Sequence, residues 1–214
     1  MKAKIISIIV FVLTAYVLPL SAKMVSLRTI QVFVLVIIAA ILLLTQPPMK
    51  LSEAKKDRQH DKYSVLFILI GCLVTQVASV TEWAYFNDSV QWRWDFATIA
   101  GLSLIIGGTV FRVWSIRTLG RFFTATVKTQ DHQRVIRSGA YSIIRHPSYL
   151  GAYLAIIGSS VFLHATFSIF LSAVLMFIIY RYRINAEEAT LKESFGNEYK
   201  EYQMQTSKLI PYLY

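Results

Sequence analysis

The sequence has one cysteine, few acidic residues and few charges of any kind. Its cysteine, Cys72, lies inside an apolar run, which excludes an intrachain disulfide and a thiolate metal site. Charged residues make up 16% of the 214 positions and hydrophobic residues 55%, so an ordinary soluble domain is also excluded. The Gly-rich strand–turn–helix of soluble nucleotide-binding folds is missing, because Gly107 and Gly108 lie within an apolar segment. The chain is therefore expected to be an integral membrane protein, with Cys72 as a small buried or lipid-facing residue.

Long apolar runs predict about six transmembrane helices. Four are separate runs, at 5–20, 29–46, 63–80 and 96–116. The run at 148–180 would be roughly 50 Å long as one helix at about 1.5 Å per residue, whereas the hydrocarbon core measures roughly 30 Å. We therefore expect a helical hairpin that turns near His164, an interfacial turn residue rather than a ligand. The predicted fold class is all-α and polytopic.

The first run has two interpretations. It follows Lys2 and Lys4 and ends in PLSAK, which also fits a signal peptide. The second run follows after only a short connection, and this spacing favours a retained helical hairpin over a cleaved leader. We expect the first helix to be kept.

Small residues in the fourth run permit close contact with another helix. They are Gly101, Gly107 and Gly108. Glycine lets two backbones approach, and an isolated GxxxG-like pattern of this kind predicts contact without specifying dimerisation.

Basic residues predict the orientation in the membrane. The chain carries 22 Lys and Arg and a net charge of +10, and these residues cluster at the ends of apolar runs rather than along one soluble face. This distribution indicates a topological role and argues against nucleic acid as a partner. With six spans and cytoplasmic termini, 19 of the basic residues lie inside, and three lie outside, namely Lys23, Arg28 and Arg93.

A polar turn, GAYSIIRHPSYLG at 139–151, joins a basic segment to the last apolar run. Pro147 has no amide donor and biases His146 away from the α-region, so a helix is expected to start at Pro147. The unpaired amides of a helix N-terminus suit an anionic ligand. The turn and the C-terminal tail are both predicted on the cytoplasmic face.

The tail at 181–202 is charged and is predicted to form a surface helix that Gly196 interrupts. One face of it lies against the headgroup layer or the polar loop, and its residues are Leu191, Phe195, Tyr199 and Tyr202. Glu187 and Glu188 are expected to begin this helix. Arg183 is four residues before Glu187, so the two share a face, either as a surface ion pair or as part of a site.

The order of these motifs resembles the isoprenylcysteine carboxyl methyltransferase family and its phospholipid methyltransferase relatives. The matching pieces are LGRFFT at 119–124, HQRVIRSGAY at 132–141, RHPSYLG, an apolar hairpin and RINAEEATLKESFGNEYKEY, and they lie within 119–202, roughly 40% of the chain. Ala140 departs from the proline of many members, which loosens that turn without removing a chemical group. The resemblance divides the chain into N-terminal transmembrane helices at 1–116 and a catalytic region at 117–214.

The resemblance implies S-adenosylmethionine as cofactor, bound in a cytoplasm-facing pocket. The positions implied as cofactor contacts are Gln133, Arg134, Val135, Ile136, Tyr141, His146, Pro147, Ser148, Tyr149 and Glu187. Arg183 matches the position that faces the substrate carboxylate. Arg145 and Glu188 are implied as supporting residues that orient the turn and the tail.

The chemistry modestly favours a carboxylate substrate. Methyl transfer needs alignment more than a metal, and a carboxylate is already ionised at neutral pH, so bidentate hydrogen bonds from Arg183 suffice to hold it. An amine must first lose a proton, and His146 or a tail carboxylate would have to accept it. The expected partners are a lipophilic substrate, whose prenyl tail stays between helices, and membrane lipids. Phospholipid N-methylation remains the first alternative.

Two further functions are compatible with the sequence. A sterol-reductase-type enzyme would use a nicotinamide cofactor instead of a methyl donor. A scaffold or transporter is disfavoured because the polar residues collect at the membrane border, whereas transporter sites usually lie at the midplane.

Overall fold

Helices account for the architecture of the described chain, which a computed structural model covers at residues 2–46, 63–87, 92–124 and 134–211. Within these ranges the α-helices are α1 Lys2–Val12, α2 Ile30–Leu44, α3 Ser64–Tyr85, α4 Phe96–Leu119, α5 Pro147–Phe162, α6 Thr166–Phe195 and α7 Asn197–Gln205. The only β-type pairing in these ranges is an isolated parallel bridge between Ile144 and Ser207. The all-α prediction is confirmed.

Within the described ranges, three helices are long and apolar enough to cross a bilayer, and they span Ser64–Tyr85, Phe96–Phe122 and Thr166–Phe195. Shorter apolar helices occupy Lys4–Val17, Ile30–Leu44 and Pro147–Phe162. The first of these continues α1 through one π-helical turn, Leu13–Val17. A bundle with several such helices is a multi-pass membrane protein.

The last apolar run turns at His164, as predicted. His164 has a φ of 55° and lies between α5 and α6. Its Nε2 lies 2.9 Å from Oδ2 of Asp95. The other carboxylate oxygen, Oδ1, accepts a hydrogen bond from the Thr98 amide at 2.9 Å, so Asp95 caps α4. The Thr98 bond first, and the His164 bond second, lower the pKa of Asp95 to about 2. The hairpin turn and the start of α4 are thereby joined at one end of the bundle.

Glycines bring α4 and α5 into contact along their length. A Cβ added at Gly108 would lie 2.5 Å from the Gly151 carbonyl oxygen, and one at Gly101 would overlap the backbone of Phe162. A Cβ at Gly107 would meet nothing within 4 Å. The predicted close contact is confirmed at Gly101 and Gly108, and the partner helix belongs to the same chain.

Replacing Gly108 with alanine is expected to destabilise the protein by about 1–3 kcal/mol, because backbone must shift to make room for the methyl group. Gly107→Ala is the matched control, since it adds the same methyl group to the same helix where space is open. Its effect should lie between neutral and a gain of about 1 kcal/mol from helix propensity. Thermal unfolding in detergent measures both, and equal unfolding midpoints would contradict the tight α4–α5 contact.

The tail differs from the prediction of a separate helix that begins near Glu187. Helix α6 runs without a break from Thr166 to Phe195, and it ends only where Gly196 adopts a φ of 54°. The separate helix was wrong because no proline or glycine interrupts the backbone hydrogen bonds before that point. The interruption at Gly196 is confirmed. Arg183 and Glu187 therefore stand on a rigid extension of a membrane helix.

Candidate active site

The RHPSY turn starts α5 as expected, with Pro147 as the first helical residue and His146 at φ −125° and ψ 54°. The C-terminal segment holds the turn in place from one side. The Arg145 amide donates to the Ser207 carbonyl at 2.9 Å, and the His146 amide donates to the Lys208 carbonyl at 3.2 Å. The turn is thus fixed by residues more than 60 positions away in sequence.

Glu188 on α6 joins the turn to the tail. Its Oε1 lies 2.7 Å from Arg145 Nε and 3.3 Å from His146 Nε2. Its Oε2 accepts from Gln203 Nε2 at 3.0 Å and lies 3.4 Å from Lys208 Nζ. Glu188 is only 4% exposed, so this cluster is a buried one. A buried carboxylate with several charged and polar partners fixes the geometry of every element that contributes one.

A polar pocket of about 90 Å³ lies between the turn, α6 and α7. The predicted site residues that line it are Arg134, Val135, Ile136, Tyr141, Arg145, His146, Ser148, Tyr149, Arg183 and Glu187. Pro147 and Glu188 are buried and do not line it. Gln133 lies outside the described residues. Tertiary structure therefore brings together side chains from three separate motifs.

Tyr149 connects Arg183 with Glu187 inside this pocket. Arg183 Nε donates to the Tyr149 hydroxyl at 3.1 Å, and that hydroxyl donates to Glu187 Oε2 at 2.9 Å. Arg183 Nη1 also donates to Ser64 Oγ at 2.8 Å, and the arginine is 3% exposed. Such burial excludes a solvated surface ion pair as the explanation of the Arg183–Glu187 spacing. Tyr149 is accordingly part of the site rather than only an interfacial anchor.

An apolar cavity of about 210 Å³ lies within the helical bundle, beside the polar pocket. Its walls are mostly aliphatic, with contributions such as Leu35, Ile68 and Ile105. Five residues line both cavities, namely Phe123, Thr124, Ser148, Tyr149 and Arg183. The polar pocket and the apolar cavity therefore meet at a shared wall that includes Tyr149 and Arg183.

Arg112 is a buried residue of the apolar cavity wall that was not selected from the sequence. It lies within α4, lines the apolar cavity and is 6% exposed, with Nη1 donating to the Ser148 carbonyl at 2.7 Å. The sequence predicted it as one of the cytoplasmic loop cations. Its position inside an apolar span was the signal for a different role, because a charge there usually marks a functional position. Its bond to Ser148 joins α4 to the start of α5, just behind Tyr149.

The tail also supplies more of the pocket than the sequence indicated. The face predicted to meet either the headgroup layer or the polar loop lines the pocket through Leu191, Phe195, Tyr199 and Tyr202. Other lining residues that sequence reasoning did not select are Leu119, Phe122, Phe123, Thr124 and Thr190. The pocket wall therefore combines aromatic and aliphatic side chains with charged ones.

Buried tyrosines remain neutral in this environment. The Tyr202 hydroxyl donates to the Tyr141 carbonyl at 2.6 Å, and the Tyr141 hydroxyl donates to the Ser115 carbonyl at 3.4 Å. Burial raises the pKa of Tyr141, Tyr199 and Tyr202 above the usual range of a phenol. Their hydroxyl groups therefore keep their protons at physiological pH, and those of Tyr141 and Tyr202 donate hydrogen bonds.

Fold and site together define a class: a multi-pass helical membrane enzyme in which a polar pocket adjoins an apolar cavity. Comparisons with known proteins agree with this class. The family model described as isoprenylcysteine carboxyl methyltransferase (ICMT) matches residues 100–193. Protein-S-isoprenylcysteine O-methyltransferase B of Arabidopsis thaliana is 32% identical over 146 residues, which cover 67% of this chain and 73% of that protein. The chain belongs to the isoprenylcysteine carboxyl methyltransferase family, and it is a methyltransferase of the membrane.

Two other similarities extend the comparison. Protein-S-isoprenylcysteine O-methyltransferase of Saccharomyces cerevisiae is 34% identical over 150 residues, which cover 69% of this chain and 61% of that protein. The solved structure of a eukaryotic intramembrane Ras methyltransferase ICMT superposes with a TM-score of 0.64 at 24% identity, over 95% of this chain and 74% of that one. The second similarity shows that the two chains share a fold.

Proposed function

We propose that this protein transfers a methyl group from S-adenosylmethionine to the carboxylate of an isoprenylcysteine-like lipophilic substrate. The observation that carries the proposal is the meeting of the two cavities at Tyr149 and Arg183. A polar methyl donor fits the pocket, and a lipid tail fits the apolar cavity, so their reacting ends come together at the shared wall. Family membership supports this reaction over phospholipid N-methylation and over a nicotinamide-dependent reduction.

Arg183 is the residue proposed to hold the substrate carboxylate. It is buried, it lines both cavities, and Tyr149 and Ser64 fix its guanidinium group in place. A planar guanidinium held in this way presents a fixed positive charge to a carboxylate. Arg112 adds a second buried positive charge on the wall of the apolar cavity. Positive charge at this depth attracts an anionic head group and disfavours a cationic amine.

The residues of the polar pocket fit the proposed cofactor, which supplies an electrophilic methyl group on a sulfonium when bound. Glu187, oriented by Tyr149, presents a carboxylate that accepts hydrogen bonds from hydroxyl or ammonium groups. The segment 134–136, Tyr141, His146 and Ser148 also line the pocket. Apolar side chains among the lining residues suit a planar base. Each of these roles is a proposal from the lining residues and the family pattern.

Positioning is the main task of these residues, because an ionised carboxylate needs no general base. Arg183 and Tyr149 orient the nucleophile, and Glu187 orients the methyl donor. Enclosing both reactants in a site shielded from water speeds methyl transfer, because it aligns them and removes the water that would otherwise hydrate the carboxylate. Glu188 and Arg145 act one step away, since they hold the turn and the tail that carry these side chains.

We also propose six membrane spans, with both termini and the polar pocket on the cytoplasmic side. The uneven distribution of basic residues supports this orientation. The shorter helices α2 and α5 have 15 and 16 residues, about 22–24 Å at 1.5 Å per residue, and thus need local thinning of the bilayer or continuation by their flanking turns.

The direct test incubates the purified protein with radiolabelled S-adenosylmethionine and a prenylcysteine analogue in detergent or liposomes. The expected product carries the label in a base-labile form, since a methyl ester is hydrolysed by alkali. The matched control is the same analogue with its carboxylate converted to an amide, which should stay unlabelled. Labelling of a total lipid extract in a base-stable form, with the analogue unlabelled, would instead establish amine methylation.

A further inference from the structure

Three hydrogen-bonded polar side chains close the end of the apolar cavity that is farthest from Arg183. They are Tyr16, Gln76 of α3 and Ser159 of α5, and all three line the cavity. The Tyr16 hydroxyl donates to Gln76 Oε1 at 3.2 Å, and Gln76 Nε2 donates to Ser159 Oγ at 2.7 Å. Each of the three residues is buried. We call this group the polar floor, since a mostly aliphatic cavity ends on hydroxyl and amide groups.

Hydrogen bonds at both ends of the cavity fix its depth. Arg183 bonds to Ser64 and Tyr149, which lie near the starts of α3 and α5. Gln76 and Ser159 lie later in the same two helices and bond to each other, so the two helices run in the same direction along the cavity. At about 1.5 Å per residue, the rise is about 18 Å from Ser64 to Gln76 and about 15 Å from Tyr149 to Ser159. The polar floor therefore lies about 15–18 Å from the residues that hold Arg183.

Apolar side chains cover the wall between these two ends. On α3 they include Ile68 and Cys72, and on α5 they include Ala152 and Ile156. Residues four apart lie on the same face of a helix, so each helix presents one apolar stripe to the cavity. A hydrocarbon tail that lies along these stripes gains free energy with every carbon that it buries, until it reaches the polar floor.

The cavity is closed beneath the polar floor. Val80 and Phe162 lie about one turn further along α3 and α5, belong to the hydrophobic core and do not line the cavity. They are 0% and 1% exposed, so the packing below the floor is tight. Tyr16 reaches the floor from the π-helical turn Leu13–Val17, and such turns are frequent at functional sites. A tail that enters beside Arg183 therefore ends at the polar floor.

We propose that the polar floor limits the isoprenoid tail of the substrate to three isoprene units. This inference rests on the proposed function, which places the substrate carboxylate at Arg183 and the tail in the apolar cavity. An extended isoprene unit is about 5 Å long, given carbon–carbon bonds of about 1.5 Å. Three units therefore fill the distance from the junction to the polar floor. A fourth unit has no room there and would press hydrocarbon against hydrogen-bonded polar groups, which is unfavourable.

The first experiment measures kcat/KM in liposomes for prenylcysteine analogues with two, three and four isoprene units. Wild type should favour three units over four, and over two, by about tenfold. Gln76→Ala should raise the ratio of four-unit to three-unit activity about three- to tenfold, because truncation of the floor opens space for the tail. Val80→Ala is the matched control, since it truncates a buried residue of the same helix that does not line the cavity, and it should leave the ratio unchanged.

A variant with the opposite effect keeps the test decisive if Gln76→Ala does not fold. Cys72 lines the cavity one turn above Gln76, so Cys72→Phe should fill space above the floor and shift the preference from three units to two. Comparing ratios between variants cancels the different partition of the analogues into liposomes. Equal activity of wild type on three and four units, or a ratio that neither Gln76→Ala nor Cys72→Phe moves, would overturn the inference.

Binding of the same analogues separates this inference from the proposed function. The rise in thermal unfolding midpoint on adding an analogue needs no turnover, and it should be largest for three units in wild type. If wild type methylates no analogue, the proposed function fails, while the order of the midpoint rises still decides the length limit. Equal rises for three and four units overturn the length limit alone, and no rise with any analogue overturns both.

Discussion

Replacing Arg183 with alanine is expected to lower methyl transfer by roughly 30- to 3,000-fold while leaving the affinity for S-adenosylhomocysteine within about threefold of wild type. Truncating one partner of a buried, hydrogen-bonded charge pair costs about 2–5 kcal/mol, and each 1.4 kcal/mol is about tenfold. Arg183 has the required setting, since it is buried at the wall shared by the two cavities. The loss should concentrate in turnover and in substrate KM.

Two further variants make the Arg183 result interpretable. Arg181→Ala removes an exposed arginine from the same helix, two residues earlier, and should retain near wild-type activity. Arg183→Lys keeps the charge but loses the planar fork, so activity should fall between wild type and alanine. Thermal unfolding of every variant separates a loss of chemistry from a loss of fold. Equal losses of cofactor binding and of turnover in Arg183→Ala would contradict the assigned role.

Replacing Glu188 with alanine is expected to destabilise the protein by about 3–5 kcal/mol, the cost of leaving buried charges without their counter-ion. Arg145 and His146 of the turn, and Gln203 and Lys208 of the C-terminal part, all contact this carboxylate. Because its removal frees the turn from α6, the polar pocket should lose its ligand as well. Thermal unfolding and S-adenosylhomocysteine titration measure the two effects.

Two further variants serve as controls for Glu188→Ala. Glu201→Ala removes an exposed carboxylate from α7 and should change the midpoint little. Glu188→Gln keeps the shape and part of the hydrogen bonding, so its destabilisation should be smaller than that of alanine. A Glu188→Ala protein that unfolds at the wild-type temperature and binds ligand normally would show that the turn is held by other contacts.

Local signals in the sequence predicted the places where helices begin, turn and end. Pro147 starts α5 because its fixed φ suits a first helical position, and His164 occupies the turn of a run too long for one span. Gly196 ends α6 because it adopts a left-handed backbone conformation that other residues avoid. Each of these signals acts within a few residues, so one chain suffices to detect it.

The glycines in the sequence predicted a close contact between helices. The order of the motifs predicted most of the residues that line the pocket. It could not indicate that Tyr149 bridges Arg183 and Glu187, because two of these lie on α6 and the third on α5. The position of Arg112 inside an apolar span is visible in the sequence, but its bond to the Ser148 carbonyl appears only once α4 and α5 are packed together.

The sequence by itself determined that this is a helical membrane protein with a polar turn and a charged tail, because apolar length, proline and glycine act locally. Tertiary structure decided that the turn and the tail enclose one pocket, and that Arg183 is buried where this pocket adjoins an apolar cavity. These properties depend on which side chains meet across long sequence separations, and helical periodicity alone does not specify the partner of a given face.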